Sequence, residues 1–209
     1  MKLDEIRAGF PTRFKFEKEL KEKGYQVIAG IDEVGRGCIA GPVIACACIL
    51  PKNFNVAETY DSKQLTKYQR HLAEEKIRQQ AVAFAFGEIS SVEIDHLNIY
   101  EASRKAMKNA VLQLARQADV LLVDAMQIDL DIKQLKLIHG DQLSVSISAA
   151  SILAKEHRDR IMIKMAKKYP EYGFERNVGY FTRESREALL KYGITPIHRK
   201  SFAPVSNLL

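Results

Sequence analysis

The chain has 209 residues, enough for one substantial core, and a formal charge of +6 from 32 Lys and Arg against 26 Asp and Glu. No run of about 18 apolar residues occurs, so a membrane-spanning helix is excluded. The charged start, MKLDEIRAGF, lacks the apolar centre of a signal peptide. Three cysteines without a C-x-x-C pair argue against a disulfide scaffold, so a cytoplasmic location is expected.

In chain order, residues 1–24 read as a charged helical appendage that Pro11 opens and Gly24 ends. Val27 to Ile31 is an apolar strand, followed by Asp32 and Glu33 and then by the turn Gly35-Arg36-Gly37. Val43 to Leu50 is a second apolar run, in which Cys46 and Cys48 share one face as small buried hydrophobes. Thr66 and Gln69 resemble a capping box that opens a helix to about Gln80. Ala81 to Ile89 reads as a strand. Ser90-Ser91 starts a helical region that reaches Gln117, with a break near Leu97. Asp119 to Asp124 is a buried strand, and Leu135 to Ile138 a shorter one before Gly140-Asp141. Ser144 to Tyr169 is a long helix with small residues at its head, stopped by Pro170 and Gly173. Thr182 caps a last helix to about Tyr192. Strand and helix alternate after an initial hairpin, so an α/β fold with a mixed sheet is expected.

Acids recur at the ends of apolar strands: Asp32-Glu33, Asp124, and Asp141 after His139-Gly140. A buried strand that ends in charge needs compensation, and strand ends at one edge of an α/β sheet gather into a crevice. Four carboxylates there would suit two divalent cations, Mg²⁺ or Mn²⁺, and so phosphoryl chemistry; the absence of Cys and His among them argues against zinc. Each acid alone could be an ordinary surface residue. Gly35-x-Gly37-x-x-Ala40 also fits a loose dinucleotide fingerprint, but strand-like residues follow where that motif needs a helix.

Other features are ambiguous. Asp61-Ser62-Lys63 is either an ordinary loop or a phosphate contact through Ser62 and Lys63. Lys155 and Asp159 fit a local ion pair. Tyr180 is either a core tyrosine or a stacking platform. His198-Arg199-Lys200 is a solvated turn or a phosphate contact. From Ser151 onward 12 Lys and Arg face 6 Asp and Glu, so the C-terminal part holds the whole positive excess and points to a nucleic-acid partner.

Seven ordered motifs complete the reading: GIDEVGRG at Gly30–Gly37, AGPV at Ala40–Val43, DSKQLT at Asp61–Thr66, SISAASILAKEHRD at Ser146–Asp159, YPEYGF at Tyr169–Phe174, GYFT at Gly179–Thr182 and GITPIHRKSF at Gly193–Phe202. With them the chain, from about Tyr25 to Val205, strongly resembles bacterial ribonuclease HII, the type 2 ribonuclease H. The resemblance implies a ribonuclease H-like mixed β-sheet flanked by helices with a C-terminal helical extension, in one catalytic domain over residues 25–209. It implies catalytic, metal-binding acids at Asp32, Glu33 and Asp124, with a fourth active-site carboxylate at Asp141 and two divalent ions. It places the turn that reads a ribonucleotide 2′-hydroxyl on Gly35, Arg36 and Gly37, and the tyrosine that stacks at an RNA–DNA junction on Tyr180. The implied activity is hydrolysis of RNA in RNA–DNA hybrids and at single ribonucleotides in duplex DNA, leaving 3′-hydroxyl and 5′-phosphate, by a monomer. The rivals are a nucleic-acid-binding protein with a dead site and another nuclease or integrase of the same fold. The sequence departs from the family pattern at Cys38 (usually Pro), Ala125 (usually Gly) and Ser185 (commonly His).

Overall fold

Both faces of the central strands are covered, which is why their sequences are continuously apolar rather than alternating. The structure, a computed structural model, describes residues 14–54 and 65–208. Its strands are β1 (Ile28–Val34), β2 (Val43–Ile49), β3 (Ala83–Ile89), β4 (Val120–Asp124) and β5 (Lys133–Leu137). They form one sheet in the order β3-β2-β1-β4-β5. The pairs β1–β2 and β2–β3 are antiparallel, while β1–β4 and β4–β5 are parallel. The expected mixed sheet is thus present, with the hairpin strands on one side and the crossover strands on the other.

The helices are α1 (Lys15–Glu22), α2 (Lys67–Gln80), α3 (Ser91–Leu97), α4 (Ile99–Leu112), α5 (Gly140–Leu143), α6 (Val145–Lys168), α7 (Phe174–Asn177) and α8 (Arg183–Tyr192). On one face of the sheet, Ala102, Ala106 and Ala110 of α4 pack against Ala29, Ile31, Ala45 and Ala47. On the other, α2 and α6 cover Ile44, Cys46 and Cys48, and both cysteines are fully buried. A third cluster, with Ile39, Met162, Phe174, Leu189 and Val205, fastens the C-terminal helical part to the end of α6.

Caps set several boundaries where they were expected. Thr66 and Gln69 form a reciprocal capping box at α2, and Thr182 accepts from the Ser185 N–H at α8. Other boundaries differ. β1 continues through Asp32 and Glu33 to Val34, because its ladder with β2 carries on opposite Cys46, Ala45 and Ile44. The long helical region divides at Asn98, next to the break expected near Leu97; Asn98 takes φ 68° and caps α4 by accepting from the Tyr100 and Glu101 N–H groups, but α4 ends at Leu112, short of Gln117. β5 begins at Lys133 rather than Leu135. Pro11 lies outside the described residues. The described part of the N-terminal segment does more than pack: Glu17 is buried and accepts from Ser144 Oγ (2.6 Å) and Ser146 N (3.0 Å) at the head of α6, where an anion suits the exposed N–H groups.

Helices reach the sheet closely at two glycines, one on each face. A Cβ at Gly30 would overlap the Ser146 backbone of α6, and one at Gly87 would overlap the Ala106 carbonyl of α4. Gly193 has φ 78° but open space around it. Gly30→Ala should therefore cost about 3 kcal/mol or more in urea unfolding, or prevent folding. Gly193→Ala should cost only backbone strain, about 1–3 kcal/mol, because φ 78° with ψ −159° is a region that essentially only glycine adopts.

Candidate active site

The parallel register aligns Ile31 of β1 with Val123 of β4. The next residues, Asp32 and Asp124, still within their strands, therefore lie side by side just past the last β1–β4 pair. Asp32 is buried and its Oδ1 accepts from the Glu33 N–H at 2.8 Å. Asp124 ends its strand, and its Oδ1 accepts from the Gly140 N–H at 2.7 Å. That bond draws the start of α5 onto β4 and brings Asp141, buried in its first turn, into the same group. The expectation that Asp141 ends a strand is corrected: it sits in a short helix that His139, in the left-handed region, allows to turn back.

Charge in this cluster is under-compensated. Burial above all, then the charges of Glu33 and Asp124 and, more weakly, Asp141, push the Asp32 carboxyl well above the usual carboxylate range; a hydrogen bond from Ser151 of α6 opposes them. Burial, reinforced by Asp124, pushes Glu33 up to about 7, against the opposing pull of Arg36. Arg36 reaches only one Glu33 oxygen, Oε1, at 3.4 Å. The other, Oε2, is buried without a partner among the described residues. An orphaned carboxylate oxygen within an all-oxygen donor set fits a hard divalent cation.

The walls of this crevice carry the remaining chemistry. A cavity of about 300 Å³ is lined by Asp32, Glu33, Asp124, Ser151, Lys155, Arg70 and Tyr180. Lys155 Nζ pairs with Asp159 (2.6 Å), as its spacing suggested, and Arg70 pairs with Glu156 (2.6 Å) and Asp159 (3.3 Å). A larger depression of about 580 Å³, bounded by Tyr100, Arg104 and Asp131, holds charges of both signs, with Arg104 already paired to Glu101 at 3.0 Å. A separate group, His71, Glu74 and Glu156, could geometrically approach a metal. Its carboxylates are already bound by Arg160, Arg78 and Arg70.

Tyr180 is 45% exposed and borders the turn, its Cε1 lying 3.8 Å from where a Gly37 Cβ would stand. So Asp32, Glu33, Asp124, Asp141, the 35–37 turn and Tyr180 come together. Ser62 and Lys63 lie outside the described residues. His198 and Arg199 are buried, which corrects the expected solvated or phosphate-contacting turn for these two residues, while Lys200 beside them is exposed. Sequence reasoning missed Ser151, which looked like one of several small residues at a helix head.

A ribonuclease HII family model matches residues 29–205. The chain belongs to the ribonuclease HII family. Ribonuclease HII of Leuconostoc mesenteroides is 51% identical over 207 residues, covering 99% of this chain and 82% of the relative. That of Lactobacillus johnsonii is 53% identical over 199 residues, covering 95% and 79%. Among solved structures, ribonuclease H2 from Pyrococcus horikoshii superposes with a TM-score of 0.75 at 25% identity, covering 88% of this chain and 97% of that one. The protein is accordingly a ribonuclease H, a nuclease acting on the RNA strand of RNA–DNA hybrids. No helix among the described residues is long and apolar enough to cross a membrane.

The departures from the ribonuclease HII pattern have local consequences. Ala125 takes φ 49°, a left-handed conformation that glycine adopts without strain and alanine does not. Cys38 is fully buried and in hydrogen-bond contact with Tyr180. Ser185 is buried, and its hydroxyl donates to the Tyr180 carbonyl at 3.2 Å. Thus two of the three changed positions touch Tyr180.

Raised carboxyl pKa values mean that folding takes up protons, so Asp32 and Glu33 weaken the metal-free fold as pH climbs from the ordinary carboxylate range through about 7. Cations compete with those protons. Mg²⁺ or Mn²⁺ should therefore raise Tm by roughly 5 °C at about pH 8 but by only about 1 °C at about pH 5. Thermal scans with and without metal test this, and equal shifts at both pH values would contradict it.

Proposed function

We propose that this ribonuclease H also hydrolyses single ribonucleotides embedded in duplex DNA, with Asp32, Glu33, Asp124 and Asp141 as the catalytic and metal-binding set. The gathering of these four acids at one end of the sheet, with Glu33 Oε2 without a partner among the described residues, carries the reading. Two divalent ions, Mg²⁺ or Mn²⁺, would supply an activated water and neutralise charge on the leaving oxygen. The protein's own contribution is to hold the acids in place. The Gly140 N–H fixes Asp124, Ser151 steadies Asp32, and Arg36 restrains one oxygen of Glu33 while leaving the other open.

Recognition of a lone ribonucleotide rests on its 2′-hydroxyl, which both donates and accepts. The Gly35-Arg36-Gly37 turn allows backbone to approach the sugar, since among the described residues only Tyr180 stands within 4 Å of the place of a Gly37 side chain. Tyr180 offers a half-exposed ring beside it, suited to stacking on the sugar of the next deoxynucleotide. Ser62 and Lys63, in the DSKQLT motif, complete the proposed substrate contacts on phosphate, and the basic C-terminal part adds counterion release. Incision falls on the 5′ side of the ribonucleotide, leaving 3′-hydroxyl and 5′-phosphate. A monomer acting in the cytoplasm suffices for these steps, with residues 25–209 as the catalytic domain and 1–24 as its appendage.

The decisive experiment is cleavage of a DNA duplex that holds one ribonucleotide, with and without a chelator. Incision should require the divalent ion, and Asp124→Asn should lower turnover by at least about a hundredfold while duplex binding persists. Near-parental turnover of Asp124→Asn in Mg²⁺ would overturn the assignment. Tyr180→Ala should lower cleavage of the single-ribonucleotide duplex by roughly tenfold, and that of a continuous RNA–DNA hybrid by less. Equal losses on the two substrates would reduce Tyr180 to a packing role.

A further inference from the structure

The two largest side chains with essentially no solvent exposure are arginines, Arg158 and Arg199. Burying a guanidinium is costly unless its donors are met. Among the described residues, every hydrogen bond of the Arg199 guanidinium goes to a backbone carbonyl of a single loop. Nη2 donates to Gly35 O (2.6 Å) and Gly41 O (3.0 Å), Nε to Gly41 O (3.1 Å), and Nη1 to Arg36 O (2.9 Å). This cation therefore organises carbonyl dipoles instead of pairing with an acid.

The direction of those carbonyls has a consequence for the other side of the turn. In a trans peptide the N–H points opposite to the C=O. With the Gly35 and Arg36 carbonyls turned onto Arg199, the N–H groups of Arg36 and Gly37 point away from it. Among the described residues neither N–H has a hydrogen-bond partner. These are two adjacent open donors, on a stretch where Gly37 leaves room up to the Tyr180 ring. The base of Arg199 is itself held. Its N–H donates to Ile39 O at 2.8 Å. Asp95 of α3 accepts from the N–H groups of Lys200 and Ser201, both at 2.9 Å, and from Ser201 Oγ at 2.6 Å.

We infer that Arg199 is a positioning residue for ribonucleotide recognition: it holds the Gly35 and Arg36 carbonyls so that the Arg36 and Gly37 N–H donors face the ribose. The inference rests on the proposal that this turn reads the 2′-hydroxyl. Lysine cannot replace arginine here, because one tetrahedral ammonium does not span three carbonyls that the planar fork reaches together.

The test is binding in an Asp124→Asn background, where turnover does not interfere. Two matched duplexes, one all-DNA and one with a single ribonucleotide, are titrated at fixed salt. Arg199→Lys should reduce the preference for the ribonucleotide duplex about tenfold. Affinity for the all-DNA duplex, governed by phosphate contacts elsewhere, should stay within about twofold. A residue that served only stability would lower Tm without moving that ratio. Gly37→Val is the control. If it loses the preference and a folded Arg199→Lys keeps it, the inference on Arg199 falls alone. If Gly37→Val also keeps the preference, the turn is not the reader and both statements fall. Should Arg199→Lys fail to fold, Asp95→Ala loosens the same anchor from the surface. It should give a smaller loss of preference in the same direction, and an unchanged ratio would overturn the inference.

Discussion

Four residue pairs join β1 to β4 in parallel, from Ile28 opposite Val120 to Ile31 opposite Val123. The acidic edge depends on this ladder, because a slip of one residue would turn the side chains of a strand to its other face. The register also fixes where α6 lies. Gly30 admits the α6 backbone against β1, and one turn further along the helix Ser151 reaches Asp32. Glu17 holds the head of the same helix through Ser144 and Ser146. The close-packed glycine contact and the buried carboxylate cluster are thus two results of one placement.

Much of this was legible because the signals are local. Apolar runs marked the strands, and Thr66 and Thr182 marked helix starts through their own side-chain bonds. The acids stood out because charge at the end of an apolar run is rare. What escaped was set by partners distant in sequence. β1 carries on through Asp32 and Glu33 because β2 continues to pair with it, although its own composition signals an end. The break expected near Leu97 is present at Asn98, but the positive φ that makes it is not revealed by a helical pattern of apolar residues. Arg199 read as part of a solvated or phosphate-contacting turn, and nothing in a single arginine announces that a loop's carbonyls will enclose it.

The site consequently sets two opposite electrostatic problems next to each other. On one side, burial and then the charge of neighbouring acids push the Asp32 and Glu33 carboxyls up. On the other, buried arginines are satisfied by carbonyl oxygens: Arg158 holds Pro42, Ala40 and Val178, and Arg199 holds Gly35, Arg36 and Gly41. Desolvation lowers the Arg199 pKa to about 10, which still leaves it charged at neutral pH. Arg158 also links the loop to the Tyr180 segment, as does the bond from Ile39 N to Gly179 O at 2.8 Å. The turn and the segment that carries the aromatic ring are therefore tied together.

The strap that closes this unit comes from far along the chain, since 164 positions separate Arg199 from Gly35. A polypeptide emerges from the ribosome in order, so the acids of β1 and the glycine turn are exposed long before the arginine that clamps it. Early strands and helices can begin to assemble while the turn is still untethered. On the proposed reading of this turn, sugar discrimination would be a late property of biosynthesis, acquired only when the distal segment docks, whereas the apolar framework beneath it forms from pieces already made.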